Sequence, residues 1–215
     1  MENKTWIFST SLIDTMAENS FWENRYSEND TVYGTQPNEY LKEKIDSLPC
    51  GSILFPAEGE GRNAIYAALQ GWDVSAYDFS PMAREKAMKN AEASGAHIQY
   101  DVAESNTYMP QKNFDAIALI YAHLPEKEAK ALHQKAMSWL KPDGHIIIEG
   151  FSKDQLKYNS GGPKDLSMLY DVDELKITFE GFQVIEAKHI ETSLDEGPYH
   201  QGKASVVRFF AQKPI

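Results

Sequence analysis

The chain has 215 residues with 42% hydrophobic and 25% charged side chains, an ordinary composition for a soluble globular protein. Its formal net charge of -11 argues against nucleic acid or another polyanion as a partner, because such binding normally requires a basic surface. Cys50 is the single cysteine, and the sequence contains neither a signal peptide nor a membrane-length apolar stretch. We therefore expect a cytoplasmic protein without membrane attachment, a monomer or homodimer with one domain over residues 1–215.

The first fifty residues predict a helical cap that precedes the core. Residues 1–20 have no firm period and fit either a loose arm or a short helix. From Phe21 to Leu48, aromatic residues are interrupted by turn residues, which indicates two short helices joined by a loop. The core then occupies residues 51–215.

Strands and helices alternate through the middle of the chain. Apolar runs predict strands at Ser52–Phe55, Asp73–Tyr77, His97–Tyr100, Phe114–Tyr121 and His145–Ile148. Helical spacing predicts helices at Glu60–Gln70, Pro81–Ser94 and Pro125–Leu140. Strands separated by helices of this length form βαβ units, and such units build a parallel sheet.

The last third of the chain departs from this alternation. A polar, glycine-containing segment at Ser152–Tyr170 precedes a predicted helix at Val172–Phe179. Two β-rich runs follow at Phe182–Ile190 and Ala204–Gln212, with a predicted long loop at Glu191–Lys203 between them. Strands joined without a helix favour an antiparallel pair. The predicted fold class is therefore α/β, with a mostly parallel sheet, an antiparallel C-terminal edge pair and helices on both faces.

A glycine turn follows the first predicted strand. Gly59 and Gly61 allow a sharp turn and leave room for a ligand against the backbone. Asp78 ends the second strand, where a carboxylate can accept both hydroxyls of a ribose, and Asp101 ends the third, where it could accept from an adenine amino group. These three features at consecutive strand ends predict a nucleoside site.

The charge of the turn favours one nucleoside ligand over another. The spacing from Gly59 to Ala64 also satisfies the dinucleotide fingerprint. Glu58 and Glu60 are unfavourable beside a pyrophosphate, whereas they suit a cationic sulfonium ligand. S-adenosylmethionine is the predicted cofactor. Two alternatives stay open: an NAD-dependent oxidoreductase, and a non-catalytic protein that binds S-adenosylmethionine.

Six short motifs are spread over nearly the whole chain. They are Glu58-Gly59-Glu60-Gly61-Arg62-Asn63 with Gly71, Val74, Asp78 and Ser80, Phe21-Trp22-x-x-Arg25-Tyr26, Tyr33-Gly34-x-x-Pro37-Asn38, His123-Leu124-Pro125, Gly161-Gly162-Pro163, and Glu196-Gly197-x-x-His200-x-Gly202-x-Ala204-x-Val206-Val207-Arg208. These motifs resemble those of class I S-adenosylmethionine-dependent methyltransferases, especially the tellurite-resistance and thiopurine-type small-molecule group. The resemblance implies a Rossmann-like sheet, S-adenosylhomocysteine as a product and in-line methyl transfer to a small-molecule acceptor. The class usually has an acid and a glycine where this chain has Phe55 and Ala57, which implies a variant contact to the methionine end.

The predicted cofactor-binding residues lie in the cap, in the glycine turn and at the ends of strands two to four. Among them, the resemblance places Tyr33 over the methionine end of the cofactor. The complete set is Tyr33, Glu58, Gly59, Gly61, Arg62, Asn63, Asp78, Phe79, Ser80, Asp101, Val102, Ala103 and Tyr121.

Two histidines are the catalytic candidates. His123 follows the fourth strand, where the acceptor approaches in this fold, and its side chain could accept a proton at neutral pH. The alternative for His123 is a helix cap beside Pro125. His200 could close the pocket from the far side. A soft nucleophile would need little base catalysis, whereas a hydroxyl or ammonium acceptor would need a base.

The acceptor site is predicted from the cap and the segment after strand five. Its candidate residues are Arg25, Gln155, Gly162 and Tyr170, and a plain surface loop is the alternative for the glycine-containing part. Paired metal-ligand spacing such as H-E-x-x-H does not occur, so we predict no metal site.

Overall fold

The computed structural model describes residues 21–27 and 31–215. The predicted arm over 1–20 lies outside these residues. The cap contains two short helices, as predicted: α1 over 21–27 and α2 at Glu39–Asp46. Asn38 caps α2, because its side chain accepts a hydrogen bond from the backbone N–H of Leu41.

Seven strands form one sheet in the order β3-β2-β1-β4-β5-β7-β6. Strands β1 to β5 pair in parallel, while β7 runs antiparallel to both β5 and β6. The predicted mixed sheet with an antiparallel C-terminal edge pair is therefore confirmed. The strands are β1 Ser52–Pro56, β2 Asp73–Asp78, β3 Gln99–Val102, β4 Phe114–Ile120, β5 Leu140–Phe151, β6 Gln183–Asp195 and β7 Gln201–Gln212.

Four further helices connect these strands, with bounds close to the predicted ones. Ser80 caps α4 through the N–H of Ala83, and Gly95 ends that helix with a φ of +72°. Within the described residues, no helix is long and apolar enough to span a membrane. The helices are α3 Arg62–Leu69, α4 Pro81–Ser94, α5 Glu126–Trp139 and α6 Val172–Thr178, and 3-10 turns lie at Lys153–Lys157 and Leu166–Met168.

Both faces of the sheet are covered because successive strand residues point to opposite sides. On one side, Leu54 packs in a cluster that includes Trp139 of α5 and Leu175 of α6. On the other, Phe55 packs with residues of α2, α3 and α4, among them Leu41. A fully buried side chain of this kind contributes roughly 1.5–3 kcal/mol. The predicted helices on both faces are confirmed.

The strand order reverses between β1 and β4, which lie side by side at the centre of the sheet. From β1 the chain moves outward through β2 to β3, and then returns to the other side of β1 for β4 and β5. In open α/β sheets, ligands bind at the carboxyl ends of the strands beside such a reversal. The glycine turn that follows β1 lies at this place.

Three predicted boundaries are wrong, and strand pairing explains all of them. Strand β5 starts at Leu140, which pairs with Phe114 of β4, instead of at His145. Strand β3 starts at Gln99 instead of His97, because its ladder to β2 runs from Gln99 to Val102. Asp101 therefore lies inside the strand, opposite Tyr77. The predicted loop Glu191–Lys203 is mostly strand, since β6 and β7 stay paired up to Asp195 and Gln201. This part of the hairpin is rich in exposed, polar residues, so its sequence lacks the apolar alternation from which strands are predicted.

Candidate active site

The two glycines of the turn each allow the close approach of a different neighbouring residue. Both adopt left-handed backbone conformations, with φ of +64° at Gly59 and +83° at Gly61. A Cβ on Gly61 would lie 2.8 Å from the Cβ of Ala87, so this glycine permits close packing of α3 on α4. A Cβ on Gly59 would lie 2.8 Å from the hydroxyl oxygen of Tyr26. The cap therefore packs directly against the turn.

Asp78 lies buried at the end of β2, next to Gly59. One carboxylate oxygen accepts the N–H of Gly59 at 3.0 Å and the other accepts the N–H of Ser80 at 3.0 Å. Burial raises the pKa of Asp78 to about 6. Each oxygen retains a free lone pair, because a carboxylate oxygen can accept two hydrogen bonds. This donor and acceptor set fits the predicted contact to ribose hydroxyls.

The neighbouring strand end offers an open wall beside Asp78. Asp101 is exposed and Val102 is 46% exposed, while Phe79 and Ala103 are half-buried. A planar base could lie against the apolar members of this wall, with Asp101 at its edge. The residues present thus fit the adenosine part of the predicted cofactor.

The two glutamates of the turn are held by the protein itself. Glu58 accepts the N–H groups of Asn63 and Ala64 on one oxygen, both at 2.8 Å, at the start of α3. Burial raises the pKa of Glu58 to about 7. Glu60 accepts the N–H of Val32 at 2.7 Å and pairs with Lys86 at 3.0 Å. The two carboxylates therefore anchor the helix and the cap, a role that the sequence analysis did not assign to them.

A buried polar network lies on the cap side of the sheet, and the sequence analysis did not identify its centre, Glu149. This carboxylate is 1% exposed and accepts hydrogen bonds from Arg208 Nε and from Asn38 Nδ2, the latter at 2.6 Å. Burial raises the pKa of Glu149, and the charge of Arg208 opposes this rise. The signal that could have identified Glu149 is its position, since this charged residue directly follows the apolar run of strand five.

The same network extends to Glu196 in the β6–β7 turn. Asn38 Nδ2 donates to Glu196 Oε1 at 2.9 Å, and Arg62 pairs with Oε2 at 2.9 Å. Burial alone would raise the pKa of Glu196, but its bond to His200 and the charge of Arg62 outweigh burial and lower the pKa to about 2. Gly197 touches the cap, since a Cβ there would lie 2.8 Å from the backbone nitrogen of Gly34.

Four rings from distant parts of the chain meet beside this turn. The ring centroid of His200 lies 4.5 Å from that of Tyr33, 4.4 Å from that of Tyr121 and 5.0 Å from that of Phe151. We call these four residues the aromatic cluster. Arg25 borders it, with its guanidinium 4.2 Å from the ring centroid of Tyr199 and a hydrogen bond of 3.4 Å to the hydroxyl of Tyr33. The structure thus brings together the predicted site residues Arg25, Tyr33, Tyr121 and His200.

The geometry of His123 argues against its predicted role as a general base. Its Nδ1 lies 2.8 Å from the carbonyl oxygen of Met168, and its Nε2 accepts the N–H of Phe151 at 3.0 Å. Burial lowers the pKa of His123 to about 4. Both ring nitrogens are therefore engaged by backbone groups. His123 instead joins the end of β5 to the segment around Met168.

The other predicted acceptor residues also have structural partners. Gln155 is buried, donates to Ser160 and to the carbonyl of Gly161, and accepts the N–H of Ser205. Tyr170 donates its hydroxyl to the carbonyl of Ala122 at 2.7 Å. A Cβ on Gly162 would lie 2.6 Å from the ring of Phe151. These contacts argue against direct substrate binding by Gln155 and Tyr170, and they make Gly162 a support for the aromatic cluster.

Over residues 21–27 and 31–215, no group of three or more histidine, cysteine, aspartate or glutamate residues is arranged to hold a metal ion.

Part of this site lies in a stretch of the chain that is similar to a known protein family. Residues 53–144 match the model of a family described as a methyltransferase domain. Hemagglutinin 1 of Eikenella corrodens is 22% identical over 186 residues, which cover 84% of this chain and 60% of that protein. The chain thus spans about three fifths of the length of this relative.

Solved structures share the fold at low sequence identity. TehB from Haemophilus influenzae superposes with a TM-score of 0.66 at 19% identity, covering 81% of this chain and 61% of that one. The N-methyltransferase NodS from Bradyrhizobium japonicum WM9, in complex with S-adenosyl-L-homocysteine, superposes with a TM-score of 0.69 at 12% identity, covering 92% and 98%. The predicted resemblance to class I methyltransferases is confirmed, and the matches support S-adenosylmethionine as the cofactor.

Proposed function

We propose that this protein transfers a methyl group from S-adenosylmethionine to a small-molecule acceptor. The observation that carries the proposal is the position of Asp78, a buried carboxylate beside Gly59 at the reversal of the strand order. This position lies within residues 53–144, which match the methyltransferase domain family. A ribose-binding carboxylate and a glycine turn at that place are what an adenosine cofactor requires.

The residues that would hold the cofactor are Asp78 and its neighbours at the ends of β2 and β3. Asp78 would accept the ribose hydroxyls, Phe79 and Val102 would contact the base, and Asp101 would accept from its amino group. When bound, the cofactor supplies the methyl group on an activated sulfonium. The protein then has to align the acceptor in line with the breaking bond and exclude water. The aromatic cluster is the part of this chain that is suited to exclude water.

The enclosure of the aromatic cluster supports a small acceptor. His200 is 5% exposed, because the cap lies on one side of it and the turn at 196–200 on the other. A macromolecule could not place its nucleophile there without displacing both. The net charge of -11 also disfavours nucleic acid as the acceptor.

A nicotinamide cofactor is disfavoured by the geometry of Glu58. A pyrophosphate in the dinucleotide fold binds to the free N–H groups at the start of the helix after the glycine turn. Here the carboxylate of Glu58 occupies the N–H groups of Asn63 and Ala64. An anion at the same place would meet a second acidic group instead of free donors.

Titration calorimetry tests the cofactor first. We expect S-adenosylhomocysteine to bind the full chain and NADH to leave no heat of binding. The opposite pattern would refute the proposal. A methyl-transfer assay with isotope-labelled S-adenosylmethionine then screens thiols, selenite, tellurite and small amines. Cofactor binding without transfer to any of these acceptors would favour the non-catalytic binding protein.

A further inference from the structure

We infer that Glu196 is a positioning residue that fixes the ring of His200, so that Nε2 of His200 accepts the proton of the methyl acceptor. The inference deepens the proposed function and rests on it. It also replaces His123 as the candidate base, because both nitrogens of His123 are engaged by backbone groups.

The contacts of Glu196 determine which nitrogen of His200 carries the proton. Oε2 of Glu196 lies 3.3 Å from Nδ1 of His200 and 2.9 Å from a guanidinium nitrogen of Arg62. Oε1 accepts from Asn38 at 2.9 Å. An ionised carboxylate can only accept hydrogen bonds, so a neutral His200 must donate from Nδ1. The lone pair of the neutral ring is then on Nε2.

No protein group uses that lone pair among the described residues. Within this part of the chain, the ring of His200 hydrogen-bonds through Nδ1 alone. Burial lowers the pKa of His200, the bond to Glu196 opposes this, and the charges of Arg62 and Arg25 lower the pKa further. The rings of Tyr33 and Tyr121 pack against the ring of His200, and His123 is close enough to interact with it electrostatically. The ring is therefore neutral and able to accept a proton at neutral pH.

Arg62 and Asn38 hold Glu196 in a fixed position. Arg62 is the first residue of α3 and also donates to the carbonyl of Gln36 at 3.1 Å. Asn38 caps α2 and donates in addition to Glu149. Glu196 thus receives bonds from two helix starts and from His200. A carboxylate held in this way keeps the imidazole ring in one orientation and its proton on Nδ1.

This arrangement indicates an acceptor whose nucleophile carries a proton, such as a thiol or a hydroxyl. A lone pair of the acceptor attacks the methyl carbon while the bond from that carbon to the sulfonium sulfur breaks, and its electron pair stays on sulfur. The proton of the acceptor passes to Nε2 of His200. The products are the methylated acceptor, S-adenosylhomocysteine and a protonated His200, which returns its proton to solvent.

The tautomer of His200 can be measured without any methyl transfer. In protein labelled with 15N-histidine, long-range 15N–1H correlation spectra distinguish Nδ1–H from Nε2–H rings, and His200→Gln assigns the signal. We expect the Nδ1–H tautomer in the wild type at pH 7.5 and a shift towards Nε2–H in Glu196→Gln. Glu196→Asp should partly restore the wild-type spectrum. An Nε2–H ring in the wild type, or an unchanged ring in Glu196→Gln, would overturn the inference.

Kinetics with 2-mercaptoethanol as the thiol probe supply a second readout. We expect Glu196→Gln to lower kcat about 10- to 100-fold and to change its pH profile, a smaller loss than the roughly 10²- to 10⁴-fold that a general base itself contributes. The KM for the cofactor and its affinity for S-adenosylhomocysteine should change less than about threefold. A kcat equal to that of the wild type would contradict the role of Glu196. If the wild type does not bind S-adenosylhomocysteine, the proposed function itself is refuted. The two failures are therefore distinguishable.

Discussion

Glu149 and Arg208 lie directly opposite each other on the antiparallel strands β5 and β7, and the guanidinium of Arg208 donates to the buried carboxylate of Glu149. Removing one partner of such a pair leaves an uncompensated charge in the core. We expect Arg208→Met to lower the free energy of unfolding by about 3–5 kcal/mol in urea titrations. The double variant with Glu149→Gln should regain part of this loss. Lys112→Met, which breaks an exposed pair with Asp73, should cost less than about 1 kcal/mol.

Asp78→Asn tests the ribose contact with little change in shape. Its amide nitrogen would face the N–H of Gly59 or of Ser80, so that two donors meet where one acceptor is needed. We expect affinity for S-adenosylhomocysteine to fall roughly 10- to 100-fold, or ~1–3 kcal/mol, in calorimetry. Asp73→Asn, at the exposed opposite end of the same strand, serves as the control. Equal affinities in both variants would remove Asp78 from the cofactor site.

Gly59→Ala should destabilise the protein for two separable reasons. Its left-handed backbone costs a residue with a Cβ about 1–2 kcal/mol, and the new methyl group would lie 2.8 Å from the hydroxyl oxygen of Tyr26. Adding Tyr26→Phe removes that oxygen. Thermal unfolding should therefore show the double variant to be more stable than Gly59→Ala alone. A double variant that is no more stable would mean that Tyr26 does not pack against the turn.

His123→Gln should impair folding more than cofactor binding. The substitution removes a ring that bridges the N–H of Phe151 and the carbonyl of Met168 inside the protein. A buried polar group left without a partner costs ~1–3 kcal/mol, and we expect a loss of that size in urea unfolding. His97→Gln, at an exposed position, is the matched control. Unfolding equal to that of the wild type would restore His123 as a candidate for the chemistry.

The pH dependence of stability should reveal Glu58. Its pKa rises from an ordinary 4.5 to about 7 on folding, so the folded protein holds this proton at pH values where the unfolded chain has released it. Stability contributed by this group is therefore full below the unfolded pKa and is lost as the pH rises towards 7. Glu58→Gln lacks this titration.

Comparing the wild type with Glu58→Gln separates the contribution of Glu58 from that of the other titratable groups. Relative to the wild type, Glu58→Gln should gain about 2–3 kcal/mol in free energy of unfolding between about pH 5 and pH 8. Glu92→Gln, at an exposed position of α4, is the matched control for removing one carboxylate from the surface. A constant difference for Glu58→Gln would mean that Glu58 ionises normally in the folded protein.

The sequence was most informative where local rules determine structure. Ser80, Pro81 and Gly95 predicted both ends of α4 correctly, because capping depends on residues within one turn of the helix. Glu149 escaped notice because its partners Asn38 and Arg208 are far away in sequence, and only the sheet order brings them together. The two nitrogen contacts of His123 depend on backbone groups, which have no sequence signal at all.

The β6–β7 hairpin separates two sets of proposed functional residues along the chain. The residues proposed to contact the adenosine of the cofactor lie between 78 and 102, whereas Glu196 and His200 lie at the tip of a hairpin built from later strands. The tip meets the cofactor side through a few contacts, chiefly Arg62 with Glu196 and Gly197 with the cap. Under the proposed function, substitutions at Tyr199, which contacts Arg25, would change the surroundings of His200 and hence the acceptor site, while the residues proposed for the adenosine would keep their positions in the earlier part of the chain.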